Sequence, residues 1–304
     1  MRFSIKHTLL CIATIFSINA IAQDDLLSML EEETSGPTDA KVFATFKAMK
    51  VINAHTTELV KPKTLDFRIT HRFGNIGGAS GGGFHTLYGF DQAEDIRISF
   101  DYGINEHLQI GIARSKRLEN IDGSIKAKIL HQREDNSIPV SAVWLSNFAI
   151  TPRKDLDNRY ANISSRMSYV HQLIVARKFS DRISLEVLPS LVHRNLVELD
   201  EDGIQDENTF FSLGFAGRVK VTQRLAIVAD YFYNFSDYRI NHPTKSFYNP
   251  LGVGVELETG GHVFHLTLTN ASGILENNYL TTTTDDWLTG GFKFGFNISR
   301  VFNL

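Results

Sequence analysis

The sequence predicts an all-β protein, a transmembrane antiparallel up-and-down β-barrel of about twelve strands, and three observations predict it. After Pro62 apolar residues fall on every second position, in segments of about ten residues, the length at which a tilted strand crosses a bilayer. Tight turns alternate with long polar loops between these segments. The final segment, Phe292 to Leu304, alternates aromatic and polar residues up to the terminus itself.

Upstream of the barrel, Arg2 and Lys6 precede an apolar run from Leu9 to Ile18, and Ala20-Ile21-Ala22 has the spacing of a signal peptidase site. The run is about half the length of a spanning helix, so residues 1–22 read as a signal peptide and the mature chain starts at Gln23. Cys11, the single cysteine, lies inside the run and lacks the preceding small residue of a lipidated cysteine. The mature chain therefore carries no thiol, which excludes disulfides, thiolate metal sites and a cysteine nucleophile. Residues 23–62 lack the strand rhythm. Leu26, Leu27 and Leu30 have helical spacing before Glu31-Glu32-Glu33, and Val42 to Ile52 is ambiguous. This stretch is expected to be an N-terminal periplasmic or plug segment at the barrel's periplasmic mouth, leaving residues 63–304 as the barrel.

The strands follow in order. Leu65, Phe67 and Ile69 alternate with Asp66, Arg68 and Thr70; Ile96, Ile98, Phe100 and Tyr102 alternate with Arg97, Ser99 and Asp101. Next come Leu108 to Ile112, Ile125 to Ile129 against Lys126 and Lys128, and Val140 to Trp144. Met167 to Phe179, Ile183 to Leu191, Phe211 to Val219 and Leu225 to Phe235 continue the series, and Leu251 to Leu257, Phe264 to Leu268 and Phe292 to Phe302 complete it. Tight turns are expected at 103–106, 134–137, 180–182, 222–224 and 258–261, in strict alternation with long loops at 74–94, 116–122, 151–163, 195–208, 236–249 and 270–286. An even strand count puts both barrel ends on the periplasmic side.

A water-soluble sandwich or lipocalin-type barrel would also alternate. Paired charges opposite the apolar stripe suit a wet lumen better than a dry core, and Tyr102, Trp144, Tyr169, Tyr231, Tyr233 and Phe235 gather near strand ends like an interfacial girdle. The expected location is the outer membrane, with outer-membrane lipid as one partner. The barrel-assembly machinery is a second, reading the C-terminal strand, although Leu304 replaces the usual final aromatic. A periplasmic partner of the N-terminal segment stays open. Losing Arg2 and Lys6 takes the 31 basic residues to 29 against 34 acidic, a net charge near −5 with no footprint for nucleic acid.

The stretches His71-Arg72-Phe73-Gly74, Tyr88-Gly89-Phe90-Asp91 and Asp122-Gly123-Ser124-Ile125-Lys126, with Pro139-Val140-Ser141, resemble an uncharacterised bacterial outer-membrane β-barrel family, a domain of unknown function. The resemblance covers roughly residues 40–304 and implies the barrel fold and its location, with no activity.

With the apolar stripe toward lipid, the lumen receives Asp66, Arg68, Arg72, Arg97, Asp101, Lys126, Lys128, Glu186, Arg218, Lys220, Asp230, Glu256 and Lys293. Eight are basic and five acidic. They read either as a pore lining with a mild preference for anions or as a salt-bridged interior bracing a narrow barrel. The glycine-rich loop from Gly74 to Glu94, with its apolar run Phe84 to Tyr88, is a candidate constriction; a floppy external loop is the alternative. The acidic loop Asp200 to Glu207 departs from the calcium-loop spacing after its first positions and reads as solvated. His262 and His265 fall on opposite strand faces and cannot share an ion. No cofactor, metal site or catalytic residue is assigned, and the protein is not expected to be an enzyme. The leading expectation is a passive or gated channel for small polar solutes. A closed structural or binding barrel that engages surface lipid or a partner protein is the alternative, and a rim-located hydrolase, drawing on His71 or His171 near serines, is a third.

Overall fold

The computed structural model describes residues 40–77, 81–156, 158–197, 199–259 and 262–304. The expected signal peptide and the helix-spaced leucines after it lie outside the described residues. Twelve strands form: β1 (Thr64–Asn75), β2 (Ala93–Asn105), β3 (Leu108–Ser115), β4 (Ile121–Leu130), β5 (Ser141–Ile150), β6 (Met167–Lys178), β7 (Ile183–Arg194), β8 (Thr209–Lys220), β9 (Leu225–Phe235), β10 (Leu251–Thr259), β11 (His262–Thr269) and β12 (Lys293–Asn303). Each pairs antiparallel with its neighbours in sequence, and β12 pairs with β1 from Thr64↔Asn303 to Arg72↔Gly295, closing the barrel. Closure leaves no strand edge unpaired, the condition for crossing a membrane on strands.

The period-two pattern forms strands because each one must satisfy two environments at once. In β1, Thr64, Asp66, Arg68, Thr70 and Arg72 are buried while the residues between them are half exposed. On the outside, Ile112 is 60% exposed, Phe211 63% and Ile227 53%, and Phe100, Trp144, Phe148, Leu185 and Phe215 join them. An apolar wall of this extent is stable only against lipid. Tyr102, Trp144, Tyr169, Tyr231, Tyr233 and Phe235 all point outward by this alternation.

Connections at 106–107, 131–140, 179–182, 221–224 and 260–261 mark one end of the barrel and are short except 131–140, which is ten residues where the sequence predicts a tight turn; those at 76–92, 116–120, 151–166, 195–208, 236–250 and 270–292 mark the other end and are long except 116–120. The expected loop 116–122 is shorter than predicted because Ile121 and Asp122 already belong to β4.

The interior differs from the expected wet lumen in one respect: it has two halves. Along β5 to β9 the inward face carries a single buried apolar cluster, Val143, Leu145, Val170, Ile174, Leu188, Val192, Val228 and Phe232, beside the charged Glu186, Arg218 and Asp230. The charges concentrate on β1 to β4 and on β10 to β12. Two segments that are not strands fill the space between the halves, residues 41–62 from the short-connection end and residues 270–286 from the long-loop end.

Candidate functional site in the barrel lumen

Residues 41–62 form a finger. It starts among the short connections, where Val42 N donates to Gln132 O at 2.9 Å and Lys41 pairs with Glu106 at 3.2 Å. It turns back on itself at the tip, where Val51 N donates to Ala54 O at 2.9 Å and Thr56 N to Met49 O at 3.0 Å. The tip is anchored at mid-barrel by Asp230, whose carboxylate accepts from Asn53 N at 2.5 Å, Asn53 Nδ2 at 2.9 Å and Ala54 N at 2.8 Å. Arg72 Nη2 donates to Asn53 Oδ1 at 3.0 Å from the opposite wall. Lower down, Lys126 Nζ donates to Glu58 O at 2.5 Å and Val60 N to Gln109 Oε1 at 2.9 Å. The other flank of the finger is apolar: Phe46, Val51 and Ile52 are at most 2% exposed against the β5 to β9 wall. Gly252 of β10 makes room for the tip, since a Cβ there would lie 2.9 Å from Ile52 Cγ2 and 2.7 Å from Asp230 Oδ1.

The β11–β12 connection descends from the other end. Residues 270–281 are all buried, including the one-turn helix Glu276–Tyr279. Asp95 accepts from Ile274 N at 2.9 Å, Asn277 Nδ2 donates to Ser168 Oγ at 2.6 Å and Asn120 Nδ2 to Asn278 Oδ1 at 3.1 Å, so the loop is tied to three different strands or their connections. It meets the finger at Glu276, whose Oε1 lies 2.7 Å from Lys50 Nζ and 3.2 Å from His55 Nε2. Burial works to raise the Glu276 carboxyl, but Lys50, the hydrogen-bonded His55 and Arg97 together hold the group well below the ordinary Glu value. Burial, with the Lys50 charge beside it, lowers His55 to about 3, so the imidazole is neutral at pH 7. The two segments thus join through one buried ion pair and a neutral histidine.

All thirteen residues placed in the lumen by alternation lie on inward-facing positions; Asp101, Lys128 and Lys220, near the short-connection end, are half-buried and the rest are buried. Six of them sit in ion pairs. Arg68 pairs with Asp66 at 3.1 Å, Arg97 with Asp122 through two bonds of 2.7 and 2.8 Å, Arg218 with Glu256 at 2.7 Å and Lys293 with Asp285 at 2.5 Å. Both carboxylate oxygens of buried Glu186 have no hydrogen-bond partner among the described residues. Sequence reasoning missed Asp95, Asp122, His265 and Asp285, and with them the finger residues Lys50, His55 and Glu58 and the loop residue Glu276. One of these had a signal: Glu256 and His265 are direct cross-strand partners, and their side chains meet at 3.1 Å. Counting them leaves the basic excess of the thirteen cancelled, which removes the basis for an anion preference.

The described residues of the glycine-rich loop, 74–77 and 81–94, do not enter the lumen. Phe84 is 83% exposed and Leu87 and Tyr88 are exposed beside it, while Phe90 packs on the outward rings Phe73 and Phe294, at 5.1 and 5.4 Å. The acidic loop is an internal knot. Asp200 accepts from His242 Nε2 at 2.6 Å and from the Tyr238 hydroxyl at 3.0 Å, and His242 Nδ1 accepts from Lys245 N at 3.0 Å. With both imidazole nitrogens engaged, the Asp200, Asp202 and His242 group offers no free ligand set for a metal. Ser146 Oγ lies 2.9 Å from His171 Nδ1, on the lipid face. Flanking residues there pair in the strand ladder, and Trp144 Nε1 donates to Ser146 Oγ at 2.9 Å. His71 stacks on Phe296 on the same outer surface.

A cavity of about 20 Å³, the scale of a single water, lies in the lumen beside Lys50, His55, Arg68 and Arg97. Another, of about 100 Å³, opens among the long loops between Asn234, Tyr248 and Leu280.

Residues 46–302 match the family model described as a membrane bound beta barrel domain (DUF5777). The chain belongs to this family. The match runs from within the finger to the last strand, so the protein is a membrane-bound β-barrel. Among curated proteins none matches it. Among solved structures it is similar to the NanC porin, at 8% identity and a TM-score of 0.49 over 79% of this chain and 99% of that one. It is also similar to the KdgM porin in complex with disordered oligogalacturonate, at 7% identity and 0.43 over 79% and 99%. An outer membrane channel from Pseudomonas putida F1 follows at 11% identity and 0.44 over 81% and 97%. These are distant likenesses.

Proposed function

We propose that the protein is an outer-membrane, non-enzymatic gated channel for small polar solutes, closed in the arrangement described here by the finger from the periplasmic side and the β11–β12 loop from the outside. The alternation of short and long connections, with both barrel ends on the short-connection side, supports the outer-membrane placement. One observation carries the gate. The finger and loop are separate segments, held to the wall by hydrogen bonds such as Asp230–Asn53 and to each other by the Lys50–Glu276 ion pair, contacts that water can replace when a segment moves.

A closed structural barrel is the second reading, and the apolar half of the interior favours it. Burial of Phe46, Val51 and Ile52 contributes roughly 5–9 kcal/mol to keeping the finger in place. Single-channel conductance of the refolded mature protein, compared with a variant starting at Pro62, separates the two. Rare brief openings in the full chain and long-lived conducting steps in the shortened one are expected for the gate. Silence of both, with a heat-modifiable folded barrel on gels, refutes it.

A further inference from the structure

The connection between β1 and β2 presents apolar side chains at the long-loop end of the barrel: Phe84 is 83% exposed, Leu87 59% and Tyr88 51%. Hydrogen bonds hold the segment that carries them in a fixed shape. The Thr86 hydroxyl donates to Gly83 O at 3.0 Å and accepts from Gly89 N at 3.2 Å, and Tyr88 N donates to Gly83 O at 2.7 Å. Phe90 N and Gln92 N close the next turns on Leu87 O and Gly89 O. Gly89 lies flat against the end of β1, where a Cβ would collide with Gly74 O. Leu87 and Tyr88 both take the left-handed conformation, with φ of 48° and 55°, which residues with a Cβ rarely adopt and which the surrounding turns impose.

This segment is continuous with the wall that faces lipid. Phe90 meets Phe73 of β1 at 5.1 Å and Phe294 of β12 at 5.4 Å, so it lies across the strand pair that closes the barrel. The connection on the other side of that seam reaches the same place. Ile76 N donates to Phe292 O and Gly77 N to Gly290 O, both at 2.9 Å, beside the turn Trp287–Thr289 in which Leu288 is 94% exposed. Between Phe84 and Phe90 there is no Asp, Glu, Lys or Arg, in contrast to the acidic loop Asp200 to Glu207. Aliphatic and aromatic side chains with one phenolic hydroxyl match the boundary between acyl chains and headgroups, where a ring buries its face and keeps its polar tip wet.

We propose that Phe84 to Phe90 is a membrane anchor, a preformed flap on the outer flank of the β1–β12 seam that inserts Phe84, Leu87 and Tyr88 into the acyl–headgroup boundary of the outer leaflet. The anchor fixes the depth at which the closing seam sits in the bilayer. It depends on the lipid-facing wall and on nothing in the gate.

Cys11 is the single cysteine of the sequence, and a chain starting at Gln23 omits it, so F84C, L87C and the control E201C on the acidic loop can each carry one polarity-sensitive fluorophore. The labelled proteins are refolded into vesicles of palmitoyl-oleoyl phosphatidylcholine, with folding read by heat-modifiability on gels. Labels at 84 and 87 are expected to be quenched several times more strongly by a lipid with its nitroxide near the headgroup than by aqueous iodide, and the label at 201 the reverse. Labels at 84 and 87 that iodide reaches as readily as the one at 201 overturn the proposal, because the flap then stands in water. Protection from iodide without quenching by the nitroxide lipid overturns it too, as does protection that grows with the protein-to-lipid ratio, because protein then covers the flap.

Discussion

Replacing Glu276 by Gln removes one charge of an ion pair whose side chains are 6% and 0% exposed and whose atoms are 2.7 Å apart. The shape of the residue is nearly unchanged, but the Lys50 ammonium loses its counter-charge while it stays buried, with Arg97 adding repulsion. Breaking a buried pair in this way costs about 3–5 kcal/mol. The cost falls on the state in which finger and loop are both seated, because in the withdrawn state Lys50 is hydrated. At 1.4 kcal/mol per factor of ten, the ratio of open to closed rises roughly a hundred- to several-thousandfold. Planar-bilayer recordings read that ratio directly as open probability. The double variant K50M/E276Q removes both charges and is expected to close the barrel again, since a buried pair replaced by neutral groups of similar volume costs little. An E276Q barrel that is folded yet opens no more often than wild type refutes the assignment of this pair as the latch. A double variant that opens as readily as the single one refutes the electrostatic account of it.

Acid should release the finger. His55 is held at about 3 in the closed state against an ordinary 6.5, so its stabilising contribution is complete above pH 6.5 and is lost as pH falls toward 3, by up to about 1.4 kcal/mol per unit. Glu276, also depressed, adds to the loss below its ordinary 4.5, and open probability measured from pH 7 to 4 should rise steadily; a flat profile refutes the linkage. G252V drives two methyl groups toward Ile52 and Asp230, an overpacking of about 1–3 kcal/mol that should unseat the tip and raise open probability while heat-modifiability persists. Deleting residues 81–90 should leave conductance unchanged, because Phe84, Leu87 and Tyr88 point away from the lumen; larger steps on deletion would contradict the structure of that loop.

The strands were legible because lipid on one side and a filled lumen on the other impose a strict period of two, and residues such as Ile98, Phe100 and Arg97 obey it. The contents of the lumen were not legible in the same way. Val42 to Ile52 and residues 270–286 have no period, since irregular segments packed inside a barrel follow its wall rather than a repeat of their own. The apolar inner wall was hidden for a related reason: in β6 both faces carry apolar residues, Val170 and Ile174 inward and Leu173 and Val175 outward, so composition alone could not show that one half of the interior is dry. The glycine-rich loop was a candidate constriction or an external loop on its sequence, and its apolar run lies on the outer surface, as the second of these has it. Glu256 and His265 show what register can add: once β10 and β11 are aligned, their contact follows.

Lys50 and Glu276 are separated by 226 positions along the chain, one preceding the first strand and the other preceding the last. Their pairing is therefore a non-local contact of the slow-forming kind, made between two segments that flank the whole run of strands from β1 to β11. A protease site placed in the finger would report when the finger seats during assembly: cleavage that stops only on ring closure is expected if seating comes last.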